Sequence, residues 1–201
     1  MKEHKKPIRK SKLYTGLGDK GTTTLFHCDQ GRISKSSNII EALGSLDELN
    51  AYLGIVKVYA EQEQIKVEIN PKKKILISDI LDDIQQTLFV IQAEIAGGDM
   101  TVKNKNLTEI EHIIACISED LPPITSFTIA GGSILSAELD FARTLSRRTE
   151  RRIISVCDEG LRRVGNVTVA YLNRLSSVLF ALSRYSNYIL SIKEEHPKYN
   201  K

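Results

Sequence analysis

The sequence predicts an all-α fold: a five-helix antiparallel bundle preceded by a glycine-rich loop. Three observations carry this. Apolar residues recur at steps of three and four over long stretches beyond residue 38, the spacing of one helical face. Glycines, prolines and cap residues punctuate those stretches at intervals suited to short joins. No strand pattern alternates regularly with the helical ones, so a parallel sheet is not expected.

Residues 1–12 are lysine-rich and contain Pro7; they read as a flexible basic tail. Residues 13–35 carry Gly16, Gly18, Gly21 and Gly31 with the run Thr22-Thr23-Thr24, a shaped loop or a short hairpin. Ile39, Ile40, Leu43, Leu46, Leu49, Leu53 and Val56 mark a first helix over about 38–60. A polar linker ends at Asn70-Pro71. Ile77, Ile80, Leu81, Ile84, Leu88, Ile91 and Ile95 mark a second helix that Gly97-Gly98 stops. Thr108-Glu109-Ile110-Glu111 has the form of a capping box and predicts the start of a third helix, which ends before Pro122-Pro123. Ser133 after Gly131-Gly132 is a good N-cap for a fourth helix, running to Glu159 with Gly160 as its stop. A fifth covers roughly 167–192. Residues 13–193 then form a single domain, and 194–201 a short C-terminal tail.

One domain suits 201 residues, and 41% hydrophobic residues suffice for a packed core. A net charge of +3 is too small for a general nucleic-acid or membrane binder. Cys28, Cys116 and Cys157 are widely spaced and odd in number, which points to reduced thiols in a cytoplasm. The basic N-terminus is followed by no apolar signal core, and no apolar run approaches the ~20 residues of a membrane span.

Gly16-Leu17-Gly18-Asp19-Lys20-Gly21 matches the dinucleotide pattern G-x-G-x-x-G literally. The pattern has that meaning only between a strand and a helix, and neither flank qualifies. No Walker A sequence occurs. What remains is physical: glycines let backbone N–H groups approach an anion, and Lys20 and the threonine hydroxyls suit phosphate oxygens. The plain alternative is a glycine-rich turn. On the fourth helix, Arg143, Arg147 and Arg151 lie four apart and share a face, with Arg148 and Arg152 beside them. Five arginines there are either a solvated face or a rake for a polyphosphate, which arginine grips through two parallel hydrogen bonds. Asp47 and Glu48 are adjacent, so they diverge by ~100° and form no carboxylate dyad; Asp47 reads as an arginine partner. His27-Cys28-Asp29 lacks the spacing of a metal site. His4, His112 and His196 read as tail or surface positions. Phe127, before Gly131-Gly132, is either core or ligand-facing.

Three blocks together resemble the PduO-type ATP:cob(I)alamin adenosyltransferases. Tyr14-Thr15-Gly16-Leu17-Gly18-Asp19-Lys20-Gly21-Thr22-Thr23 is like Y-T-x-x-G-D-x-G-x-T, and it continues to Glu41-Ala42-Leu43-Gly44-Ser45-Leu46-Asp47-Glu48-Leu49-Asn50, like E-A-x-G-x-x-D-E-L-N. Phe127-Thr128-Ile129-Ala130-Gly131-Gly132 precedes Ala142-Arg143-Thr144-Leu145-Ser146-Arg147-Arg148-Thr149-Glu150-Arg151, like A-R-x-x-x-R-R-x-E-R. Tyr171-Leu172-Asn173-Arg174-Leu175-Ser176 completes the set. The match runs from about residue 12 to 190.

The resemblance implies that Thr15, Gly16, Gly18, Lys20, Thr23 and Thr24 wrap the ATP phosphates, with Lys35 adding charge. It implies that Arg147, Arg148, Glu150, Arg151 and Asn173 line the nucleotide site. Asp47 would pair with Arg143 near the reacting groups, and Phe127 would sit against the corrin and help exclude the lower axial ligand. The substrates would be ATP, with Mg²⁺, and cob(I)alamin. The assembly would be a homotrimer with ATP between subunits, served by a cobalamin reductase and an adenosylcobalamin-dependent enzyme. Ala130 replaces a usual proline, Ser177 stands where aspartate is common, and the stretch His27 to Gly31 is longer than the usual turn. The chain ends at Lys201 where many relatives continue with an aromatic-containing tail, so a reduced closing element over cobalamin is expected. Such chemistry needs no protein base, because cobalt(I) is itself the nucleophile. The rivals are an Arg-rich bundle that binds nucleic acid and a carrier of cobalamin or nucleotide without catalysis.

Overall fold

The computed structural model describes residues 13–25 and 31–199; the basic tail 1–12 and the His27-Cys28-Asp29 run lie outside them. Among the described residues there are five helices: α1 (Asn38–Glu63), α2 (Ile77–Ala96), α3 (Asn104–Asp120), α4 (Ile134–Asp158) and α5 (Asn166–Ile189). Two short antiparallel pairs accompany them: β1 (Thr22–Thr23) with β2 (Ile33–Ser34), and β3 (Lys66–Asn70) with β4 (Lys73–Leu76).

The helices alternate in direction along the chain. On α1 and α4, Tyr52 meets Glu138, Ser45 meets Thr149 and Asn38 meets Glu159, a register that only opposed helices give. On α4 and α5, Ser136 meets Ser183 and Glu150 meets Asn173. One neighbouring pair runs parallel: Glu111 and Arg174, then Pro122 and Arg184, link α3 to α5 in rising order on both. The core is the predicted stripe. Leu46, Leu49 and Leu53 of α1, Leu81, Leu88 and Ile91 of α2, and Leu135, Leu139 and Ile153 of α4 are fully buried, each adding roughly 2 kcal/mol of burial free energy. α5 lies deepest, with Ala181 through Asn187 all buried.

Two sequence expectations need correction. The linker before α2 is a hairpin. Val67 is fully buried and Ile69 and Ile75 are half-buried against the core, so the stretch alternates as a half-buried strand should. Asn70 turns it, its Oδ1 accepting from Lys72 N at 3.0 Å. The third helix begins at Asn104, one turn before the expected Thr108. The Thr108 hydroxyl donates back to the Asn104 and Lys105 carbonyls, and Asn106 Oδ1 accepts from Lys103 N. The fourth helix is capped as predicted, with Ser133 Oγ accepting from Ser136 N at 3.0 Å.

α5 is capped from another helix. Glu94 of α2 accepts from Gly165 N at 2.7 Å, Thr168 Oγ1 at 2.7 Å and Thr101 Oγ1 at 3.3 Å. A carboxylate at a helix N-terminus satisfies open N–H groups and the helix dipole together. Replacing Glu94 by alanine strands these donors, so a urea titration of Glu94→Ala is expected to show a loss of about 2 kcal/mol. A wild-type midpoint would show that water replaces the cap.

Candidate active site

The loop before α1 is held together by its own residues. Lys35 N donates to Gly21 O at 2.9 Å, and Thr22 and Thr23 pair with Ser34 and Ile33. The Arg32 guanidinium clamps the turn from within, donating to Leu17 O, Thr22 O and Thr22 Oγ1 at 2.6, 2.7 and 2.9 Å. Lys35 lies over Gly18, where an added Cβ would come within 2.8 Å of its Nζ. A side chain at Gly18 would push the flexible end of Lys35 aside. Thr15, Gly16, Lys20 and Thr24 are exposed, and Thr23 is half-buried. The loop therefore carries two lysines, exposed hydroxyls and glycine backbone, residue types that suit phosphate oxygens.

The arginine face is divided by helix geometry. Arg143 and Arg147 line a cleft of about 430 Å³ with Ser176, Ser177 and Phe180 of α5 and Ile124, Ser126, Phe127 and Thr128 of the preceding loop. Arg147 also lines a second cleft of about 590 Å³ further along α4, with Glu150, Arg151 and, from α5, Asn173. Arg147 thus stands where the two meet. Arg148 and Arg152 project toward α1 instead, paired with Glu48 and Glu41. Asn173 is fixed on both sides, donating to Glu150 Oε1 at 3.0 Å and accepting from Arg174 at 2.8 Å.

The resemblance implied that Asp47 pairs with Arg143, and within the chain it does not. Arg143 Nε donates to Asp140 Oδ1 at 2.9 Å. The two lie three apart on one helix, and Asp140, with 11% of its side chain exposed, needs a cation where it is. Asp47 is exposed on α1.

Asp140 belongs to a polar chain behind the clefts. Its Oδ2 accepts from Ser183 Oγ at 3.1 Å, Ser183 meets Ser136, and Ser136 donates to Gly131 O at 3.0 Å. Asn187 donates to the same carbonyl and accepts from Ser133 N. At Gly132 (φ 103°) a side chain would meet Asn187 at 2.4 Å. Phe180 sits 5.9 Å from the Arg143 guanidinium, within cation–π range. This chain ties the turn after Phe127 to the arginine that faces it, while the Phe127 ring itself is 79% exposed.

Asp140, Ser183 and Asn187 escaped the sequence reading, and Phe180 and Arg32, which lie in the matching blocks, were given no role in it. Signals existed for some: Asp140 is one turn from Arg143, and Ser183 and Asn187 are small polar residues four apart on an apolar helix. Of the expected site residues, the structure brings Arg143, Arg147, Phe127, Glu150, Arg151 and Asn173 onto two clefts along α4 and α5 that share Arg147. Thr15, Gly16, Gly18, Lys20, Thr23, Thr24 and Lys35 gather in the loop, and among the described residues that loop lines neither cleft.

A further cavity, of about 320 Å³, lies between the β3–β4 hairpin, α2, α3 and α5. Isoleucines line it with Asp83 and Glu109, and burial first, then Glu109, pushes the Asp83 carboxyl above its ordinary value. Lys73 and His112 line it as well. Among the described residues, the cleft with Phe127 carries Arg143 and Arg147 and no carboxylate, whereas the one with Asn173 sets Arg147 and Arg151 beside Glu150, Asp158 and Glu159. Among the described residues no group of three or more His, Cys, Asp or Glu side chains could hold a metal ion, and no helix is long and apolar enough to cross a membrane.

Residues 13–186 match the family described as Cobalamin adenosyltransferase. The chain is 36% identical over 179 residues to the Corrinoid adenosyltransferase PduO of Citrobacter freundii, taking in 86% of this chain and 49% of that protein; it spans about half the length of that relative. It is 31% identical over 191 residues to a Corrinoid adenosyltransferase of Mycobacterium leprae, covering 90% of this chain and 93% of that one. Among solved structures it is similar to a phenylalanine-to-alanine variant of PduO-type ATP:corrinoid adenosyltransferase from Lactobacillus reuteri, complexed with cobalamin and ATP. The TM-score is 0.78 and the identity 28%, over 94% of this chain and 100% of that one.

Proposed function

The chain belongs to the cobalamin adenosyltransferase family, and from that membership we propose that it transfers the 5′-deoxyadenosyl group of ATP to cob(I)alamin. The cobalt(I) electron pair forms the new bond to the 5′ carbon. The bond from that carbon to the triphosphate oxygen breaks, and triphosphate leaves with the electron pair. No proton is abstracted, so the protein's work is alignment and stabilisation of charge on the leaving group. The single observation that carries this reading is the position of Arg147, shared by the cleft with Phe127 and the cleft with Arg151 and Asn173. Two substrates that react at one point need such a junction.

In this reading Phe127 faces the corrin, and Arg147, Glu150, Arg151 and Asn173 hold the nucleotide. The loop with Thr15, Gly18, Lys20, Thr24 and Lys35 covers the triphosphate. Mg²⁺ enters with ATP as part of the substrate, on phosphate oxygens and water. A nucleic-acid role for α4 is disfavoured because Glu48 and Glu41 already neutralise Arg148 and Arg152. The free thiols of Cys116 and Cys157 suit a reducing cytoplasm, where a reductase would supply cob(I)alamin. An absorbance assay with ATP and chemically reduced cobalamin tests the activity. Absence of adenosylcobalamin under anaerobic conditions would overturn it.

Among the described residues the loop lines neither cleft, and in this reading a loop from a neighbouring copy completes the site. Exposed Ile55 and Val58 of α1 and Phe141 and Ile134 of α4 supply apolar surface for such contact. A homotrimer is the expected solution state, by light scattering coupled to size exclusion. A fully active monomer at micromolar concentration would exclude the shared site.

A further inference from the structure

The segment after α5, read from sequence as a short tail, is fastened to the loop that carries Phe127. Ser191 (φ 56°) turns the chain out of the helix, and Ile192 N donates to Asn187 O at 2.8 Å. Glu194 then meets the nearly buried Arg184, Nε to Oε1 at 2.6 Å and a terminal nitrogen to Oε2 at 3.1 Å. This is the two-pronged pairing that fixes orientation as well as charge. The same guanidinium donates to Pro122 O. Ile129 N donates to Glu195 O at 2.8 Å. Between these two anchors, His196 Nδ1 lies 2.9 Å from Ser126 Oγ and 3.0 Å from Phe127 O.

A carbonyl only accepts, so the contact to Phe127 O requires the proton on His196 Nδ1. We propose that His196 is a positioning residue: it holds the Phe127 backbone through Nδ1–H and so sets where the exposed ring stands at the cleft it lines with Arg143 and Arg147. The proposal rests on the adenosyltransfer reading for its effect on rate, and on geometry alone for its effect on the loop. Phe127 is 79% exposed, so its placement depends on its backbone. Pro122 and Ile129 fix the ends of the loop, and His196 fixes the residue that matters.

The test uses three variants of the full chain. Asparagine places an amide nitrogen the same number of bonds from Cα as Nδ1; glutamine places it one bond further; alanine has none. His196→Ala and His196→Gln are expected to lower kcat for adenosylation about tenfold with the KM for ATP unchanged, and His196→Asn to stay within about threefold of wild type. Amide hydrogen exchange at Ile129, which needs no activity, is expected to quicken in the alanine and glutamine variants and not in the asparagine one. If asparagine behaves like alanine, or if exchange quickens while kcat holds, the positioning role is overturned. If the wild-type protein makes no adenosylcobalamin but exchange follows this pattern, the loop anchor stands and the adenosyltransfer reading fails.

Discussion

Arg147→Lys is expected to fold as the wild type does and to lose roughly 10²-fold or more in turnover, the size of effect seen when a transition-state donor is removed. Arg147 is exposed, so its replacement disturbs no packing, and its melting temperature is expected to stay near that of the wild type. The charge is also kept. What changes is geometry: lysine cannot present two parallel N–H groups to one phosphate. Because Arg147 borders both clefts, a displaced phosphate also displaces the 5′ carbon from cobalt. A solvated arginine, or one that binds any polyanion by charge, would tolerate the change. Steady-state kinetics beside a melting curve decides the matter, and near-normal turnover would remove Arg147 from the site.

Phe127→Ala is expected to impair adenosylation severely, on the order of 10²-fold in kcat, and to leave ATP affinity unchanged. Phe127 lines the cleft with Arg143 and Phe180 and is absent from the one with Arg151 and Asn173. In the proposed reading, losing its ring removes apolar contact on the corrin and admits water or the lower ligand to cobalt. Titration calorimetry with ATP and an absorbance assay with cobalamin separate the two effects. Turnover at the wild-type rate would return Phe127 to a structural role.

The helices and the arginine stripe were legible because both depend on spacing within one segment. Leu46, Leu49 and Leu53 define a buried face wherever the helix docks, and Arg143, Arg147 and Arg151 share a face wherever it points. The partners were not legible, because they depend on register between segments. Nothing in the sequence says that Arg148 meets Glu48, or that Asp140 takes Arg143 ahead of Asp47. The β3–β4 hairpin hid behind its lysines: Val67 and Ile69 alternate as a strand should, but five residues among charged neighbours read as linker. His196 was hardest to foresee, since it meets a backbone carbonyl 69 positions away.

The fastening of Glu194, Glu195 and His196 to the Phe127 loop bears on how the chain is made. Synthesis runs from the N-terminus, so all five helices and every arginine of the two clefts leave the ribosome before these three residues do. A nascent chain that has just released α5 can pack its core and bring Glu150 of α4 to Asn173 of α5. At that stage Arg184 lacks the Glu194 carboxylate and the Phe127 loop lacks its contact to His196. The loop around Phe127 therefore gains its anchors only after Glu194, Glu195 and His196 have emerged, later than the α4–α5 contacts around Asn173.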